Sequence, residues 1–158
     1  MKHFFLLLLC LSLATVLPAL SACWGGDGLG EEPMKGSLYF SVDNVREAKG
    51  TIWVGIYESA DDFLDREKAR LVAVKVTDTG QAIIEVPDMV FGKDYALGIF
   101  HDENDNGEFD TNFIGLPAEP WAFSGTLKSR FRLPKFEEVS FTFRHQAPPQ
   151  VLRLRTWF

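Results

Sequence analysis

Apolar side chains recur at every second position through most of this chain. In "SLYFSV", Leu38, Phe40 and Val42 share one face; in "TIWVGIY", Ile52, Val54 and Ile56 do so, with Trp53 and Tyr57 opposite. "LVAVKV" offers Val72, Val74 and Val76 against Leu71, Ala73 and Lys75, and "QAIIEV" offers Ala82, Ile84 and Val86 against Gln81 and Glu85. "DYALGIF" is apolar on both faces, as a central strand must be. "EVSFTFR" alternates Val139, Phe141 and Phe143 with Ser140, Thr142 and Arg144, and "VLRLRT" sets Leu152 and Leu154 against Arg153 and Arg155. A period of two is the signature of a strand with one buried face, so about seven strands are predicted.

Turn-forming clusters separate these runs: "DNVREAKG", "DTG", "PDMVFGKD" and "APPQ". One helix is predicted, over 59–69 ("SADDFLDREKA"), with Ser59 as cap, acids in its first turn and basic residues in its last. Short strands, tight turns and a single crossover helix define an all-β class, an antiparallel β-sandwich of about seven strands.

The first residues break the pattern. Positions 4–16 are almost wholly apolar, follow Lys2 and end at Pro18, which reads as an export signal too short to span a bilayer permanently. "LSAC" closes it at Cys23. This resembles the bacterial lipobox, which implies cleavage before Cys23 and lipidation of its thiol. Ordinary cleavage, leaving a free Cys23 thiol, is the alternative. The chain has 2 Cys, one in the signal, so the exported domain has no disulfide of its own. The expected organisation is a signal over 1–22, a Gly- and acid-rich lipid-anchored tether over 23–35, and one sandwich domain over 36–158. A net charge of −6 argues against a nucleic-acid partner.

Charge is unevenly placed. "HDENDNGEFD" (101–110) follows an apolar strand, and Asp102, Asn104 and Asn106 alternate before Gly107. That is the opening of a calcium loop: alternate side chains curl toward one point, and the glycine turns the chain so that the Glu108 carbonyl faces the ion. Asp110 stands at the ninth position. The twelfth, where an EF-hand has a bidentate Glu, is Phe113, and the entering element is a strand. The expected metal set is therefore Asp102, Asn104, Asn106, Glu108 and Asp110, with Glu119, Asp105 or water completing it. The cofactor is Ca²⁺, at roughly 10⁻⁴–10⁻³ M affinity. Two other readings stand beside it: a metal-free loop of Asx turns, and neutralisation by Lys128, Arg130, Arg132 and Lys135.

The run "YALGIFHDENDNGEFDTNFIGLPAEPWAFS", followed by "LPKFEEVSFTF", resembles the bacterial DUF2141 family. The shared segments are His101 to Asn104, Asn106-Gly107, Asp110 to Asn112, Gly115 to Glu119, Ala122 to Ser124 and Pro134 to Phe136. "IWVGIYESADDFL" is also similar, and the likeness covers about residues 36 to 156. It implies an exported sandwich, immunoglobulin-like or transthyretin-like, and no activity. Pro120-Trp121 departs from the small or Tyr-Gly pair usual there.

Glu119, Trp121 and Phe123 are the candidate ligand-binding residues, on a long loop of the kind that meets a protein or glycan; as alternative, the aromatics plug one end of the sandwich. No catalytic residue is assigned. His101 and Asp102 are neighbours on a strand and point to opposite faces. Ser124 lacks a nucleophile elbow, and no zinc spacing exists. The expected protein is a non-enzymatic lipoprotein, on the periplasmic face of the outer membrane or the cell surface. A periplasmic enzyme using His101, Asp102 and Glu119 in metal-assisted acid/base chemistry is the alternative.

Overall fold

A computed structural model describes residues 32–129 and 132–157. The signal, Cys23 and most of the tether lie outside them. The elements are β1 (Lys35–Val45), β2 (Thr51–Tyr57), β3 (Arg70–Lys75), β4 (Gly80–Val90), β5 (Asp94–Asp102), β6 (Trp121–Phe123), α1 (Phe136–Val139), β7 (Phe141–Thr142) and β8 (Gln150–Arg153). One sheet has the order β4-β1-β8; the other runs β3-β2-β5-β6, with β7 also paired to β5. The all-β sandwich expected from the alternation is what forms.

Between the sheets lie the residues that the period of two places inward. Phe40, Val42, Ile52, Val54, Ile84, Val86, Leu97, Leu152 and Leu154 are all at most 3% exposed. Fully burying one such side chain contributes about 1.5–3 kcal/mol, so this set, rather than a disulfide, holds the domain together. β5 is central, bonded to β2 along one edge and to β6 and β7 along the other.

Four local expectations change. The 59–69 segment is a chain of turns, not a helix: Phe63, Asp65, Lys68 and Ala69 each donate to the carbonyl three residues back. Ser59 Oγ does accept the Asp62 amide, at 3.3 Å. The helix fails at Leu64, whose φ of 69° leaves the right-handed region. Phe63 is meanwhile drawn into an aromatic cluster, 5.3 Å from Tyr57 and 6.0 Å from Phe136.

"PDMV" is not a turn. β4 continues through it to Val90, absorbing the extra residue as a bulge opposite Gly36/Leu38, with Asp88 at φ 58°. The reversal comes one step later, at Gly92 with φ 82°. Nor is 138–144 a continuous strand. Glu138 accepts the Lys135 amide and a bidentate pair from Arg132, which winds 136–139 into one helical turn before the two-residue β7. Finally, the sandwich is not wholly antiparallel, because β8 lies parallel to β1 from Phe40 to Asp43. Beyond β8 the chain crosses to the other sheet, where Arg155 and Trp121 exchange backbone hydrogen bonds of 2.9 and 3.0 Å.

The two poles of the sandwich differ. β1 begins beside Val90 and the 91–93 turn, where Phe91 donates to the Met34 carbonyl and Gly92 to that of Phe143. β1 and β5 both run from this pole to the other. There Val45, Gly50, Thr51 and Val76 surround the exit of β5 into the acidic loop.

Candidate functional site: the acidic loop at the end of β5

β5 delivers His101 and Asp102 to opposite faces, as alternation requires. His101 is 0% exposed and turns inward, with Nε2 2.7 Å from the Lys49 carbonyl. A carbonyl only accepts, so Nε2 donates to it. Nδ1 has no hydrogen-bond partner and lies 3.9 Å from a Glu103 oxygen. The ring has no exposed surface, and Asp102 points to the opposite face of the sheet.

Asp102 emerges on the outer face of the sheet, 1% exposed, and anchors the loop. Its Oδ1 accepts the Asn106 amide at 3.2 Å and its Oδ2 the Gly107 amide at 2.8 Å; Trp53 Nε1 adds a third donor at 3.3 Å. The motif then winds as its spacing predicts. Asn104 Oδ1 accepts the Asn106 amide at 3.0 Å, and Asn106 Oδ1 accepts that of Glu108 at 2.8 Å. Asp105, at φ 60°, and Gly107, at φ 77°, supply the left-handed steps of the curl. Both side-chain amides then converge on one oxygen: Asn104 and Asn106 donate to Asp110 Oδ2 at 2.7 and 3.0 Å. Positions one, three, five and nine of the loop thus belong to one hydrogen-bonded knot.

Glu119 closes it from the returning chain. It is 6% exposed, and its oxygens accept the amides of Glu103 (3.3 Å) and Asp110 (3.2 Å). Burial, together with the nearby charges of Asp102 and Asp110, pushes its carboxyl up to about 7. It therefore sits inside the loop, while Trp121 and Phe123 are half-buried on the outer face of the sheet, 5.6 Å apart. Phe123 is also 6.1 Å from Phe63, so the aromatic pair lies partly beneath the 59–69 crossover.

Asp105 points elsewhere. Lys75 Nζ donates to it at 2.8 Å and Thr51 Oγ1 at 2.6 Å, and these partners, Lys75 foremost, hold its carboxyl below the usual range. It is spent on an internal pair and leaves Glu119 as the candidate to complete a metal set. Thr51, Trp53 and Lys75, which sequence spacing did not single out, line an open groove of about 310 Å³ with Asp102, Asp105 and Asn106. A Trp and a Lys on neighbouring antiparallel strands were the signal, but only the β2–β3 register brings them to the loop.

Of the downstream cations Arg130 lies outside the described residues, and Lys128 and Arg132 pair away from the knot. Arg132 binds Glu138 at 2.7 Å, and Lys128 lies 3.9 Å from the same side chain. No Lys or Arg occurs between Lys93 and Lys128. Lys75 answers Asp105 alone. The donor set at the knot is entirely of hard oxygens, which suits calcium rather than zinc. Among the described residues no three His, Cys, Asp or Glu side chains are gathered as a ready cage, and Asn104 and Asn106 turn their side-chain N–H groups, not their oxygens, to Asp110.

Fold and loop together define an all-β sandwich domain with an acidic knot at one pole. The chain belongs to the DUF2141 family, described as an uncharacterized protein conserved in bacteria, whose model matches residues 40–150. Neither a curated protein nor a solved structure matches it. Among the described residues no helix is long and apolar enough to cross a membrane.

Proposed function

We propose that this is an exported, lipid-anchored, non-enzymatic module of the cell envelope. Its 102–112 loop takes up calcium and thereby fixes the connection carrying Trp121 and Phe123, which meets a protein or glycan. Ligands come from Asp102, Asn104, Asn106, the Glu108 carbonyl and Asp110, with Glu119 closing the set. The observation that carries the reading is Glu119. Burial, and after it the charges of Asp102 and Asp110, push its carboxyl up to about 7, and no described cation stands against these three groups. A divalent ion is the economical counter-charge, since two like carboxylates kept close favour the neutral form of one of them.

Lipidation at Cys23 rests on the lipobox-like "LSAC" alone. Labelled palmitate incorporation, lost in Cys23→Ser, tests it. Calorimetric titration with Ca²⁺ and Mg²⁺ tests the loop: heat with calcium that vanishes in Asp102→Asn and Asp110→Asn supports the assignment, and no heat with either ion ends it.

A further inference from the structure

At the twelfth position of the loop, where an EF-hand has its closing Glu, this chain has Phe113, and its side chain is 99% exposed. Ile114 beside it is 60% exposed, and Phe109, at the base, 42%. These residues are not at the end of a loose segment. Thr111 bridges Pro117, Asn112 and Leu116 are joined at 2.8 Å, and the Ala118 amide donates to Asp110 at 2.9 Å. Asn112 Oδ1 accepts the amides of both Ile114 (3.1 Å) and Leu116 (3.0 Å), and Gly115 sits at φ 79°. A bonded turn therefore presents two adjacent, wholly apolar side chains to water. Such a display stabilises nothing in the isolated domain, whereas buried anchors of this kind dominate interfaces.

The surroundings choose among occupants. The tip rises from the pole where β5 ends, and the chain enters β1 at the opposite pole, beside the 91–93 turn. β1 has 11 residues, so the poles stand about 35 Å apart at ~3.3 Å per residue. The tip therefore lies at the pole opposite the start of β1. Its flanks are acidic: Glu108 is exposed and Asp110 half-buried, with no Lys or Arg from 94 to 127. An anionic lipid surface is the wrong complement to that charge; a receptor with basic groups around an apolar pocket is the right one.

We propose that Phe113 and Ile114 form a docking knob for a protein partner that receives them in an apolar pocket rimmed by Lys or Arg, at the pole opposite the start of β1. A benzophenone side chain installed at position 113 of the full chain in cells, with position 83 as control, captures what touches the tip. The captured protein is then purified and titrated against the chain. The expected result is a stoichiometric complex that added salt weakens, that Phe113→Ser weakens by about tenfold or more, and that Phe113→Leu largely preserves. Unchanged melting of both variants confirms that the fold is intact. Cross-linking to lipid, to a second copy, or to nothing overturns the proposal, as does a complex indifferent to Phe113→Ser. Co-sedimentation with vesicles of equal phosphatidylethanolamine and phosphatidylglycerol distinguishes the lipid outcome directly. If Cys23→Ser remains membrane-bound the anchored reading fails by itself, and the purified complex still judges the knob.

Discussion

The backbone amide of Asp110 donates to Oε2 of Glu119 at 3.2 Å, tying the ninth residue of the acidic loop to the chain that returns toward β6. Through its other oxygen the same carboxyl holds the Glu103 amide, at the start of the loop. One buried side chain therefore spans the entrance and exit of the excursion that separates β5 from β6, and its charge state bears on both.

The first prediction follows from that charge. Glu119 titrates from 4.5 as a free group and near 7 in the fold. Between those values the folded chain binds more protons than the unfolded one, so calcium-free stability falls as pH rises from about 4.5 through 7. The loss is at most about 3.4 kcal/mol, at 1.36 kcal/mol per unit. Urea melts across that range measure it, and Glu119→Gln flattens the slope.

Truncation at the same position acts differently. Glu119→Ala leaves the Glu103 and Asp110 amides without their acceptor, at a cost of about 1–3 kcal/mol for each group left buried and unpaired. Glu119→Gln keeps an acceptor for one of the two amides and so costs less. Chemical denaturation of the two variants at one pH gives the ordering, and equal losses contradict it.

Asp102 is the more demanding anchor, since three donors share its carboxylate. Asp102→Ala should cost about 2–4 kcal/mol and disorder the loop, read as lost amide-exchange protection at Asn106 and Gly107. The effect should stay local, with β1 and β4 amides still protected.

Gly50 is required by close approach. A Cβ there would stand 2.0 Å from the Asp102 carbonyl oxygen, at a φ of +76°. Gly50→Ala should therefore destabilise by more than about 2 kcal/mol and displace the start of the loop. A circular dichroism melt within a degree of the parent protein would show that this approach is not rigid.

Much of this architecture was legible in the sequence, for a physical reason. Phe40, Val42, Ile84 and Val86 obey a period set by the strand itself, so their burial is written locally. The winding of 102–110 was legible too, because Asx turns are made by residues two apart. What was missed depends on partners far along the chain. Lys75 reaches Asp105 across thirty residues only through the β2–β3 register. Phe63 packs edge-to-face with Tyr57 and Phe136 and takes its segment out of the helix that its composition favours. The parallel β1–β8 pair has no local signature at all.

Thermal melting of the domain in millimolar calcium, in magnesium and in chelator tests the central claim most directly. At calcium ten times its Kd, binding to the folded state contributes about 1.4 kcal/mol, which raises Tm by about 5 °C for a domain of this size. That shift should be absent in Asp102→Asn and much smaller with magnesium. A Tm indifferent to all three conditions would mean that the carboxylates of Asp102, Asp110 and Glu119 are balanced by hydrogen bonds alone.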